Sequence, residues 1–258
     1  VKNEKNALKG LAAALGMLLI VPALLLYAFD RGALDRGYHQ RLYDELGSAE
    51  AAGVDEETLS RIGDMLVDYL NGVRDDRSGP RTTPWPWPVD DLDGARSDLA
   101  MTATVNGVEQ PVFNEREIAH MADVKRLFDL ERRVSGIFAW LGFAFLALGL
   151  PGPGWAKRLK RAGLTGQVFW LALLAFVAIW AAVDFDGVFR RFHGLLFSNN
   201  LWLLNPETDL MIRMLPEQFF MSVALRAAEW MLFGQLLLAA LWGLPVLFMR
   251  LAGRKEGA

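Results

Sequence analysis

Apolar positions in this chain gather into four long runs, at about residues 8–29, 134–150, 164–183 and 230–249. A helix needs roughly 20 mostly apolar residues to cross a bilayer, so each run predicts a membrane span. The second run is short, and a helical-looking segment at 116–133 feeds straight into it. The fourth extends back toward Pro216. The predicted fold class is an all-α membrane protein with four transmembrane helices. A mixed, mainly helical extracytoplasmic cap lies between helices 1 and 2, and a second ordered external segment between helices 3 and 4. The expected boundaries are 1–29 for helix 1, 30–133 for the cap and 134–150 for helix 2. A basic cytoplasmic loop follows at 151–163, helix 3 at 164–183, an aromatic-rich external segment at 184–216, helix 4 at 217–250 and a cytoplasmic tail at 251–258.

The polar segments predict their own elements. Leu59, Ile62, Leu66 and Leu70 form one helical stripe over 56–70, ended by Asn71-Gly72, and a shorter helix is expected over 38–46. The Pro-, Gly- and Asp-rich run at 74–94, with the Trp-Pro stretch 84–88, predicts non-helical chain. Short strands at 100–105 and 110–113 flank Asn106-Gly107, a hairpin signal. Asn114 followed by Glu117 reads as a capping box that starts a helix. Asn205-Pro206 reads as another helix start, and so does Pro216.

Composition supports the membrane reading: 53% of the 258 residues are hydrophobic and the mean hydropathy is +0.21, high for a soluble domain of this size. Charge then orients it. Lys2, Lys5 and Lys9 flank the first run, Lys157, Arg158, Lys160 and Arg161 fill the loop after the second, and Arg250, Arg254 and Lys255 follow the fourth. A four-span layout puts all three clusters on one side and the acid-rich 30–133 segment on the other. The positive-inside rule makes the basic side cytoplasmic, so both termini are expected inside a bacterial inner membrane. The first run is longer than a signal-peptide core and is expected to stay uncleaved.

Chemistry is narrowly bounded. There is no cysteine, which excludes thiolate nucleophiles and thiolate metal sites, and there are only three histidines, His39, His120 and His193. His39 reads as structural filler. His120 falls on the second turn after the Asn114 cap, with Glu117 and Asp123 three residues to either side on the same face. Either carboxylate could hold the imidazole in one tautomer. His193 lies in an aromatic run with Phe185, Phe189, Phe192, Phe197 and Trp202. Arg226 and Glu229, three apart before the fourth apolar run, read as an ion pair.

These residues resemble the bacterial lipoprotein intramolecular transacylase (Lit) family. The resemblance lies in Arg116-Glu117-Ile118, His120-Met121 and Asp123-Val124, and in the later block Phe192-His193, Phe197, Trp202, Pro206, Asp209, Ile212, Pro216 and Phe219-Phe220. The layout of four spans with one cap is also similar. Two departures stand out: Asn205 replaces an expected aspartate, and the Trp-Pro stretch has no counterpart. The resemblance implies an acyltransferase that moves a chain from the glycerol sn-2 oxygen of a diacylglyceryl lipoprotein to its N-terminal cysteine amine. It implies that His120 and His193 are catalytic, with Asp123, Glu117 and Asp209 supporting or orienting them. Phe113, Phe189, Phe192, Phe197 and Trp202 are expected to line the pocket. His120 is assigned as base and His193 as oxyanion donor or acid, an assignment that the sequence allows to be exchanged. No cofactor or metal is expected, and the partners are diacylglyceryl lipoproteins and membrane lipids rather than nucleic acid. The sequence sets no oligomeric state. The main alternative is a non-enzymatic membrane assembly or chaperone protein of the same fold. A metal hydrolase lacks tight ligand spacing, and a transporter would carry charges in several spans.

Overall fold

The computed structural model describes residues 2–72 and 92–255; the Trp-Pro stretch 84–88 lies outside the described residues. In chain order the elements are α1 (Lys2–Ala33), α2 (Arg36–Leu46), α3 (Ser48–Ala52), α4 (Glu56–Asn71), α5 (Leu92–Asp98), β1 (Thr102–Val105) and β2 (Val108–Pro111). Then follow α6 (Glu115–Gly149), α7 (Trp155–Val183), α8 (Phe185–Leu196), α9 (Leu210–Met214) and α10 (Glu217–Lys255). They form two compact units. The first holds α1 to Gly32, α6 from Glu131, α7 and α10 from Ala227; the second holds the stretches 33–130 and 186–226.

The first unit contains the apolar parts of α1, α6, α7 and α10, the four helices long and apolar enough to cross a membrane. Its centre is one face of α1: Ala13, Met17, Val21 and Leu25 recur every four residues and are all buried. The outer helices are inverted relative to a soluble bundle. Trp140 is 80% exposed, Phe143 62% and Ile179 67%, as side chains facing lipid would be. Small residues let α1 and α6 approach closely. A Cβ on Gly142 would lie 3.0 Å from the Gly16 carbonyl, and one on Gly149 would meet the backbone nitrogen of Ala13. Gln167 is paired inside the bundle: its amide donates to the Gln235 carbonyl at 2.7 Å and Trp242 Nε1 donates to it at 2.9 Å.

The basic residues near the α6–α7 turn do more than mark a side of the membrane. The Arg158 guanidinium donates to the carbonyls of Gly149, Leu150 and Pro153 at 2.9, 2.9 and 2.8 Å, closing the C-terminus of α6. Lys9 Nζ adds a bond to the Pro151 carbonyl at 2.8 Å.

The second unit is built from local signals. Asp55 caps α4 by accepting the Thr58 amide at 2.7 Å, and Gly72 ends it in the left-handed region at φ 70°. The stripe Leu59, Ile62, Leu66 and Leu70 is buried in a core shared with Leu42, Tyr43, Val112, Met121 and Met214. Asn106 and Gly107 take φ of 52° and 81°, the two-residue hairpin turn that the sequence signals, with Val105 facing Val108. Two expectations shift. Leu92, Asp93 and Gly94, within the stretch expected to be non-helical, open α5. Asn205-Pro206 starts a turn and not a helix: the Asn205 side chain accepts the Glu207 amide at 3.1 Å, and α9 begins only at Leu210. Arg226 also finds a partner beyond its own helix, donating to Asp35 at 3.1 and 2.9 Å and lying over the Tyr38 ring.

Candidate active site

The site belongs to the second unit and starts from the α6 N-terminus. Asn114 Oδ1 accepts the amides of Arg116 and Glu117 at 2.9 and 3.1 Å, and Glu117 returns a bond to the Asn114 amide at 2.9 Å. This reciprocal cap fixes where α6 begins, and so fixes the rotation that His120 takes on its second turn.

His193 is placed by α8. Along this helix Phe185, Phe189, Phe192, His193 and Leu196 recur at helical spacing on one side. His193 Nδ1 bonds the Phe189 carbonyl at 2.8 Å. A carbonyl oxygen only accepts, so Nδ1 carries the proton and Nε2 of the neutral ring keeps its lone pair. The ring sits among aromatics: Phe189 at 4.0 Å between centroids, Trp202 at 4.9 Å, Phe192 at 5.4 Å and Phe197 at 5.6 Å.

The two imidazoles meet. His120 and His193 lie 6.3 Å apart between ring centroids, each is only 8% exposed, and Phe197 packs against both. His120 Nδ1 is buried without a hydrogen-bond partner. An unpaired buried polar atom is costly. Burial lowers the His193 pKa below its ordinary value, with the Phe189 carbonyl partly opposing that shift.

The carboxylates expected to orient His120 are committed elsewhere. Glu117, 1% exposed, places its second oxygen on the Met211 amide at 2.7 Å. Asp123 accepts from Arg126 at 2.9 Å and from Asn199 at 2.7 Å. Asp209 accepts the Asn205 amide at 2.7 Å and the Asn114 side chain at 2.8 Å. Burial works against its charge, yet these donors together hold the Asp209 carboxyl below the usual carboxylate range. All three acids therefore lock the start of α6 to the 199–211 segment, and this holds the two histidines in register. Arg116 adds a bond to the Asn200 carbonyl at 2.8 Å. Asn199 is the participant that the sequence did not single out; no local pattern marks it.

The remaining expected residues divide. Phe189, Phe192, Phe197 and Trp202 surround His193, whereas Phe113 packs in the core of the unit and lines a separate cavity there. His39 is a core residue: it is 7% exposed, its Nε2 bonds the Ala33 carbonyl at 2.9 Å and its ring leans on Phe219.

Four helices of spanning length, with a second unit that buries a histidine pair in an aromatic setting, define a multi-pass membrane protein. A sequence model of the lipoprotein intramolecular transacylase Lit matches residues 14–220. The chain therefore belongs to the Lit family of membrane-integral acyltransferases. An uncharacterised protein of Aquifex aeolicus is 26% identical over 145 residues, a match that spans 55% of this chain and 58% of that relative. The solved in meso structure of Lit from Bacillus cereus is similar at a TM-score of 0.62, with 21% identity over 99% of this chain and all of that one. A variant of that protein with a histidine replaced by arginine gives a TM-score of 0.60, with 23% identity over 97% of this chain and 96% of that one.

Proposed function

We propose that this chain catalyses intramolecular acyl transfer within diacylglyceryl lipoproteins. The cysteine α-amine attacks the sn-2 ester carbonyl, a C–N bond forms and the C–O bond to glycerol breaks. The nitrogen gives up a proton and the leaving glyceryl oxygen gains one. The product is a lyso-form lipoprotein with an N-acyl cysteine. No other reactant is consumed.

The observation that carries this reading is the buried histidine pair, 6.3 Å apart in an aromatic enclosure. Such a reaction needs no enzyme nucleophile. It needs a base for the attacking nitrogen and a donor for the carbonyl and leaving oxygens. Holding both ends of one substrate in place is worth up to roughly 7–11 kcal/mol, and acid–base help adds about 10²–10⁴-fold. The bond from Nδ1 to the Phe189 carbonyl favours His193 as the base, because it leaves Nε2 as an acceptor. His120, with Nδ1 free of protein partners, then serves as donor to the oxyanion and the leaving oxygen. This exchanges the roles suggested by sequence. Phe189, Phe197 and Trp202 exclude water, which would otherwise hydrolyse the ester. In the bacterial inner membrane, with both termini cytoplasmic, the pair would face the extracytoplasmic interface where lipoproteins arrive.

The test is expression in a host lacking this activity, with mass spectrometry of the N-terminal peptide of a reporter lipoprotein. An N-acyl, lyso-glyceryl peptide is expected, and His120→Ala and His193→Ala should each reduce it at least 100-fold while still inserting. A free α-amine with the diacylglyceryl group intact, or a phenotype that survives loss of both histidines, points instead to an assembly or chaperone role.

A further inference from the structure

The second unit also carries a cavity of about 590 Å3 that neither histidine lines. Its size is within the usual range for ligand pockets. Three of its walls come from residues beside the site: Asn114, Glu117 and Ile118 at the start of α6. Glu117 and Ile118 precede His120 by three and two positions on α6.

Its lining holds two acids, Glu115 and Glu117, and two cations. Arg96 and Arg213 both line it. Arg96 is already spent on Glu115 and Asp93, at 2.8 and 3.0 Å. Both Glu117 oxygens accept backbone amides. Arg213 forms no ion pair among the described residues, and its Nε is buried with no hydrogen-bond partner. A buried guanidinium N–H left unmade is costly, and a carboxylate is the acceptor that fits its fork. The lining also includes polar Gln110 and Thr208 and apolar Leu99, Met101 and Val112. A lipid phosphate needs only the cation. A lining that mixes amide-bonding and apolar side chains suits a peptide.

We propose that this cavity receives the polypeptide that follows the acylated cysteine, with an acidic side chain against Arg213. The identity of the substrate rests on the transacylase reading; the charge preference of the cavity does not. The test is therefore binding without turnover. Full-length protein in phosphatidylcholine nanodiscs is titrated with a fluorescein-labelled, unlipidated peptide bearing Asp at its second to fourth positions, and with the Lys counterpart. The Asp peptide is expected to bind about tenfold more tightly, a difference of about 1.4 kcal/mol. Arg213→Gln should abolish the preference and Arg213→Lys should keep most of it. High salt should weaken it in the wild-type protein, which does not depend on a variant folding. Equal binding of the two peptides by wild-type protein overturns the proposal, as does a preference that survives Arg213→Gln. Loss of the preference in phosphatidylglycerol nanodiscs, dependent on Arg213, overturns it in favour of a lipid-headgroup site. A chain that discriminates between the peptides yet leaves the reporter lipoprotein unmodified would defeat the proposed reaction and not this site.

Discussion

Glu117→Gln is the most direct probe of the lock that holds the histidines in register. The carboxylate is 1% exposed and accepts two backbone amides, from Asn114 at 2.9 Å and from Met211 at 2.7 Å. Glutamine keeps one acceptor oxygen and turns an N–H toward the other amide. One bond to a charged acceptor is lost, worth about 1.5–3 kcal/mol, while removal of a buried charge returns part of that. The net cost is about 1–2 kcal/mol. Hydrogen exchange reads this locally: protection of the Met211 amide should fall about 5- to 30-fold, at about tenfold per 1.4 kcal/mol. The exposed Glu109→Gln on β2 serves as control. Turnover should fall as well, because the cap that rotates His120 into place is loosened. Unchanged protection at both Asn114 and Met211 would refute the lock.

Two further predictions concern pH and packing. A neutral His193 acting as base, with its pKa lowered by burial, places the acid limb of the pH–rate profile below the ordinary value of about 6.5; a limb centred at 7 or above contradicts the assignment. By linkage, the unfolded chain takes up a proton at His193 near 6.5 and the folded chain only lower, so stability contributed above 6.5 is lost as pH falls, and His193→Ala should flatten the pH dependence of thermal unfolding across that window. Gly149→Val has no room beside the Ala13 and Lys9 backbone, so the protein should lose at least about 2 kcal/mol, read as a lower unfolding temperature in detergent; an unchanged midpoint would mean that α1 and α6 do not approach there.

Much of this molecule follows from the order of its residues. The apolar runs determine the four spans, because a bilayer admits few other solutions. The ends of α4, the Asn106-Gly107 turn and the Asn114–Glu117 cap are settled by partners within four positions, so local chemistry decides them. Tertiary structure decided what those patterns leave open. Helix α8 reads in sequence as an aromatic run, and only packing against Trp202 and Phe220 shows which side of it carries His193. Glu117 and Asp123 stand beside His120 on the helix, yet a carboxylate bonds whichever donor folding brings nearest. Docking of the 199–211 segment supplies the Asn199 side chain and the Met211 amide and so takes both acids away from the imidazole. The meeting of His120 and His193 depends on the same docking, between segments far apart in the chain, and no local rule reaches across that separation.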